Sequence, residues 1–195
     1  MSAVFGLITG IYMTLDKRRI CRYAGILVRA YLPKRLGDAI MHFCRRFSVY
    51  FSRFLSGQCM EAALLGFLMF LAFTLFGLPY ASLIGVLTAV CAIIPYIGAV
   101  MSCTITIVLT LLYNPSLAIF SALVYLAVQF IENQFIYPKV VGGSVGLPPL
   151  YTLVSAMIGG RLFGILGIIF FIPLVAVLLE LIKSDAENRL NTNST

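Results

Sequence analysis

The sequence predicts an all-α, polytopic integral membrane protein with broken or short helices and a basic amphipathic helical segment. Three observations carry this reading. Of 195 residues, 61% are hydrophobic and 11% charged, against about 45–50% and about 25% in soluble domains. From Ala62 to Ile131 there is no charged residue, a run of 70 positions that a water-facing surface does not tolerate. The apolar runs are continuous rather than alternating, which argues against a transmembrane β-barrel. A soluble enzyme, a nucleic-acid binder and a disordered tail are excluded at this step.

The net charge of +7 is unevenly placed. Residues 16–53 hold ten of the fourteen basic residues and only two acids, Asp16 and Asp38. Residues 1–15 read as the end of a membrane helix. They are too short for the roughly 20 residues a span needs, and their charge follows the apolar run rather than preceding it as in a signal peptide. Residues 16–60 read as a basic amphipathic cytoplasmic or interfacial segment. Leu36, Ile40, Phe43, Phe47, Tyr50 and Phe54 recur at spacings of four and three, one apolar stripe at helical period. Lys34, Arg35, Arg45, Arg46 and Arg53 fall mostly off it. Such a helix suits anionic headgroups or a seat against the protein's own membrane domain. Residues 61–183 are expected to form a multi-pass membrane domain, and 184–195 a polar tail expected to fray.

Within 61–183 the breaks order the spans. Leu78-Pro79 ends the first, Tyr80–Ile94 runs to Pro95, and Gly98–Tyr113 runs to the Asn114-Pro115 turn. Ser116–Tyr137 has the length of a full span. Gly142 to Pro149 is irregular, Leu150–Ile158 is a short helix, Gly159-Gly160 a hinge, and Leu162–Ile182 the last span. Two segments too short to cross alone adjoin Gly/Pro clusters. Interrupted membrane helices expose backbone groups that can meet a solute or ion, which nominates Pro95, Tyr96, Gly98, Pro138, Gly146 and Pro149 as helix breaks lining a pathway.

Glu132 stands alone as a charge between Ala62 and Pro138. A carboxylate in hydrocarbon costs roughly 2.5–3.5 kcal/mol on insertion scales and faces a cavity or a partner. Gln129 and Asn133 add polar groups to the same turn, and Lys139 and Arg161 are the nearest counter-charges. These predict a coupling site of Glu132, Gln129, Asn133 and Arg161. The five cysteines form no C-x-x-C pair, so neither a disulfide framework nor a metal site is expected, and no cofactor. Gly142-Gly143-Ser144-Val145-Gly146 matches G-x-S-x-G, but no strand precedes it and the one histidine, His42, lies in the basic segment. A hydrolase is therefore not expected. No G-x-x-x-x-G-K-[ST] is present to bind a nucleotide.

Ile94-Pro95-Tyr96-Ile97-Gly98, then Gln129-x-x-Glu132-Asn133-x-x-x-x-Pro138, Gly146-Leu147-x-Pro149-Leu150 and Gly159-Gly160-x-x-x-Gly164-x-x-Gly167 before Pro173 resemble, in order and spacing, the autoinducer-2 exporter family of bacterial permeases. The resemblance covers about Gln58 to Lys183. Ala99 stands where the family continues with Pro, and Pro148 where it usually has His. The resemblance implies an oligomeric, multi-pass permease of the inner membrane, with further N-terminal helices in family members. Its partners would be the lipid bilayer and a small-molecule or ion substrate, and not nucleic acid. Export of autoinducer-2 and sodium or lithium/proton antiport are both associated with the family. The alternative from another class is a non-transporting membrane scaffold or assembly protein.

Lys and Arg are retained on the cytoplasmic side of a bilayer, so residues 16–60 are expected there. A membrane-impermeant thiol reagent added to intact cells should leave Cys44 unlabelled until the cells are opened. Ready labelling from the periplasmic side would reverse this topology.

Overall fold

The computed structural model describes residues 23, 25–26, 28, 30–31, 33–140 and 148–193. All regular structure among them is helical: α1 (Lys34–Leu75), α2 (Ala81–Ala92), α3 (Ile97–Tyr113), α4 (Pro115–Ile131), a π-helical turn (Glu132–Ile136), α5 (Tyr137–Val140) and α6 (Pro149–Asn193). Among the described residues, three stretches are long and apolar enough to cross a bilayer, Leu36–Leu75, Pro115–Ile136 and Leu150–Lys183. The apolar N-terminal segment 1–15, and the loop carrying Gly146 and the G-x-S-x-G match, lie outside the described residues.

The chain divides into two compact units, Met1–Arg46 and Phe47–Thr195. In the first, Gly25 lies against Met41 and Gly37 against Val28, while Gly37 N–H donates to the Pro33 carbonyl at 2.9 Å. α1 begins directly after Pro33 and passes without interruption through residue 60, where the sequence suggested a change of segment. Its 42 residues are about twice the roughly 20 that a span needs.

The second unit carries the membrane core. Ala62, Leu65, Met69 and Phe73, on one face of α1, pack with Ile84 and Ala92 of α2 and with Val124 and Tyr125 of α4. Close approach of α1 and α2 needs glycine on both sides. A Cβ on Gly66 would meet the Gly85 carbonyl oxygen and the Ala89 Cβ at 2.6 Å each, and a Cβ on Gly85 would meet the Gly66 carbonyl oxygen at 2.8 Å. α2, α3 and α4 are antiparallel neighbours, pinned by the Tyr80–Tyr113 edge contact at 5.7 Å and the Ser102–Tyr125 hydroxyl contact. Further along α1 toward its start, Phe54 packs with Ala156, Ile168, Ile172 and Ala176 of α6, and Phe51 lies over Phe170 at 5.0 Å. The inner part of the aromatic stripe therefore packs on the protein's own membrane domain.

α6 runs to Asn193, with neither Gly nor Pro after Pro173 to stop it. One sequence expectation is corrected within it. The hinge lies at Gly164, with φ 64° and ψ −144°, and not at Gly159-Gly160, which is helical. The chain reverses there. Gly159 and Gly167, eight residues and about 12 Å apart on a straight helix, are instead so close that a Cβ on either would overlap the other's backbone. α6 is thus a helical hairpin whose arms touch glycine to glycine, the membrane counterpart of small-residue packing. Pro149 begins this hairpin in the helix's first position, where its missing N–H costs nothing.

The hairpin sets a graded expectation. Gly167→Ala should abolish well-folded protein in detergent, because backbone rather than a flexible side chain occupies the Cβ position. Gly164→Ala, which has open space but a conformation reserved for glycine, should cost about 1–3 kcal/mol. Gly160→Ala meets only the Ile168 side chain at 3.4 Å and should change the melting temperature least. A reversed order would rule out the closed hairpin.

Candidate functional site

Two interruptions of the helices face each other in the second unit. The first is the link from α2 to α3. Pro95 cannot extend α2, and Ile97 N–H donates to the Pro95 carbonyl at 2.8 Å. This closes a γ-turn around Tyr96, whose φ of 65° and ψ of −51° lie in the rare form that a non-glycine residue adopts at a cost. Gly98 follows because a Cβ there would overlap the Cys91 carbonyl. The second interruption is the π-helical turn Glu132–Ile136, in which Tyr137 N–H donates to the Glu132 carbonyl five residues back. Pro138, directly after it, has no N–H to restore the α pattern. A π turn widens the helix and re-aims its side chains, here at the point where α4 carries its carboxylate.

Between the interruptions lies a cavity of about 220 Å³, lined by Gln58, Glu61 and Leu65 of α1, Ala92 of α2, Ile94 to Tyr96, Ala99 of α3, Gln129 of α4, Glu132, Asn133 and Tyr137. Glu132 is 2% exposed and Glu61 5%. The two carboxyl groups come within interaction range of each other. Each has a glutamine one turn before it. Gln58 Nε2 donates to Glu61 Oε2 at 2.7 Å and to the Ala92 carbonyl at 2.9 Å. Gln129 Nε2 donates to Glu132 Oε2 at 3.1 Å, and Asn133 Nδ2 donates to the Gln129 carbonyl at 2.9 Å.

The balance of donors and acceptors is one-sided. Both amide nitrogens are engaged by carboxylate oxygens, which also fixes the orientation of the amides. The buried atoms left without a partner in the cavity are Gln58 Oε1, Gln129 Oε1 and Glu132 Oε1, all oxygen acceptors. Two ionised carboxylates offer no donor to each other, so a hydrogen bond between them requires a proton on one. Such a site receives a donor or a cation and rejects an anion.

Of the residues nominated from sequence, Glu132, Gln129, Asn133, Pro95 and Tyr96 line this cavity. Gly98 sits beneath it as the glycine that lets α3 start. Arg161 and Lys139 are exposed and line no part of it; Arg161 belongs to the tip of the α6 hairpin. The partner of Glu132 is a second carboxyl group, Glu61, with Gln58. Sequence reasoning passed over it because Glu61 bounds the uncharged run from outside. The signal was present as a repeat: Gln58-x-x-Glu61 and Gln129-x-x-Glu132 have the same form.

Long apolar helices interrupted around a buried polar cavity define a multi-pass α-helical membrane protein. The AI-2E family transporter model matches residues 1–185, and the chain belongs to that family. It is 29% identical to YueF of Bacillus subtilis over the whole of this chain and 57% of that protein. It is 28% identical to YrrI of the same organism over 64% of this chain and 35% of that protein. With sll0063 of Synechocystis the identity is 32%, over 77% of this chain and 37% of that protein. All three carry names that point to transport and specify no substrate. The chain spans about a third to three fifths of the length of these relatives. No solved structure matches it.

Because the two carboxyl groups line one cavity, they should not act independently. Glu61→Gln and Glu132→Gln should each leave the apparent melting temperature in detergent unchanged or raised, since an amide is less costly than a carboxylate in the bilayer. The double variant should depart from additivity by about 0.5–3 kcal/mol. Strict additivity would separate the two groups.

Proposed function

We propose that this chain forms the solute-handling part of an ion-driven secondary permease of the bacterial inner membrane, with Glu61 and Glu132 as its coupling carboxyl groups. One observation carries the reading: every unpartnered buried atom in the cavity is an oxygen acceptor. A hard monovalent cation accepts such oxygens in place of its hydration shell, and a proton on the carboxyl pair answers the same need. Exchange of one for the other at one pair is the elementary step of antiport. Gln58 and Gln129 hold the carboxyl groups toward the cavity while keeping one oxygen each for the cation.

A second reading has a specific observation behind it. A small uncharged molecule rich in hydroxyl groups also brings donors, and the cavity walls add the half-exposed Tyr96 and the apolar Leu65 and Ala92. Export of an autoinducer-2-like signal in its neutral form fits those walls, whereas an anionic form does not. A scaffold without transport gives no reason for two carboxyl groups to be buried together.

Vesicles containing the protein, with sodium or lithium gradients and a pH-sensitive dye inside, separate these readings. Glu132→Gln and Glu61→Gln should each lower cation-driven proton movement by at least about tenfold, equivalent to only about 1.4 kcal/mol. Arg161→Gln, outside the cavity, should leave it unchanged. Normal proton movement in both glutamine variants would remove the coupling role. Gradient-independent movement of a neutral polyol, lost in Tyr96→Ala, would favour the exporter.

A further inference from the structure

α3 carries a polar residue on one face at every turn: Ser102, Thr106, Thr110 and then Asn114. Ser102, Thr106 and Thr110 have no exposed surface, whereas Val100, Met101, Val108, Leu111 and Leu112, on the rest of the helix, are exposed. The buried hydroxyl groups begin beside the carboxyl cavity. Ala99 lines the cavity. Tyr125 Oη donates to the Ala99 carbonyl at 3.1 Å and makes the hydroxyl contact with Ser102 Oγ.

Most hydroxyl groups in these helices are satisfied by their own backbone, as is usual for Ser and Thr in helices. Ser102 donates to the Gly98 carbonyl at 2.8 Å, Thr104 to Val100 at 2.8 Å, Thr110 to Thr106 at 2.9 Å and Ser121 to Ala118 at 3.1 Å. Thr88 and Thr106 are the exceptions. Both are fully buried and neither hydroxyl has a partner. The antiparallel packing of α2 and α3 brings them within about one turn of each other. Gly98 against Cys91 and Ala92 sets Thr88 of α2 against residues 101 and 102 of α3, one turn before Thr106. Ser102 opposite Tyr125 sets Thr106 against Ser121, one turn on.

We propose that Tyr125, Ser102, Thr106 and Thr88 form a proton relay that leaves the carboxyl cavity through the interior of the α2–α3–α4 bundle, with water bridging the hydroxyl groups. Successive turns of α3 are about 6 Å apart, too far for direct hydrogen bonds between hydroxyl groups and suited to one intervening water. Each hydroxyl oxygen accepts a proton on a lone pair and passes its own O–H proton onward, so every group ends neutral and no other reactant is consumed. The relay runs toward Thr110 and the exposed Asn114. It rests on the reading of Glu61 and Glu132 as the proton-carrying pair.

The test uses the protein in dye-loaded vesicles, with Thr106→Val, Thr88→Val, Thr106→Ser and Glu132→Gln measured together. Valine keeps the shape and removes the hydroxyl. Thr106→Val and Thr88→Val should each slow proton movement by at least about tenfold, where tenfold corresponds to about 1.4 kcal/mol. Thr106→Ser should retain it, and calorimetry should show sodium binding to all three threonine variants unchanged. Proton movement at the normal rate in both valine variants, with Glu132→Gln impaired, would overturn the relay and leave the coupling pair standing. Glu132→Gln behaving normally while the valine variants fail would overturn the pair and retain the hydroxyl path. If a valine variant does not fold, Thr106→Cys, a weak donor of similar size, takes its place, and full activity there overturns the relay.

Discussion

A bilayer interior supplies no water, so every polar group placed there must find its partner within the protein. That constraint shapes each departure from straight helix in this chain. At the end of α1, Gly77 takes a φ of 63°, and Leu78 N–H reaches back to the Phe73 carbonyl at 2.9 Å, closing the helix end without solvent. Around Tyr96 a γ-turn returns Ile97 N–H to Pro95. After Ile131 the hydrogen bonds shift from four residues to five rather than lapse. At Gly164 the chain reverses in one residue. The first three of these breaks are closed by their own backbone, which is why short segments persist where an open loop would be costly.

The same constraint makes glycine structural twice over. Where helices meet at Gly66 and Gly85, or fold back at Gly159 and Gly167, the absent Cβ brings backbones together and gains dispersion contacts that lipid does not supply against a bulkier surface. These contacts leave the walls of the carboxyl cavity little room to shift. α1 is held to α2 at Gly66, one residue beyond Leu65, and Phe54, one turn before Gln58, packs with α6. Glu61 lies between those two fixed points. Its approach to Glu132, 71 residues later in the chain, therefore follows from helix packing on both sides of it.

Much of this was legible in the residues. The uncharged run, the Pro and Gly breaks and the isolated Glu132 follow from composition and spacing, because hydrocarbon penalises charge and Pro removes a donor wherever it stands. What was not legible depends on distance in space. Gly159-Gly160 looks like a hinge, since two adjacent glycines weaken a helix, yet packing against Gly167 and Ile168 keeps them helical and moves the turn to Gly164. Arg161 looks like the counter-charge of Glu132 because opposite charges are the expected solution. The fold instead presents a second carboxyl group, and no local rule in a sequence says which turn of α1 faces which turn of α4. The repeated Gln-x-x-Glu was the one sign available.

A carboxyl pair differs from an ion pair in what it allows. A Glu–Arg pair buried at this depth would satisfy itself and resist any change, since removing either partner strands a charge. Two carboxyl groups that each receive one glutamine amide, with Glu132 Oε1 left open, have acceptor capacity that a proton or a cation would fill. On the proposed reading a mobile partner answers their burial, and the strained turn at Tyr96 and the π turn at Glu132 stand on either side of the place that partner would occupy. Structural polar groups in a membrane core close their hydrogen bonds, as Ser121 and Ser155 do. Groups left open at a broken helix, in a cavity able to hold a small ion, are better explained by traffic than by stability.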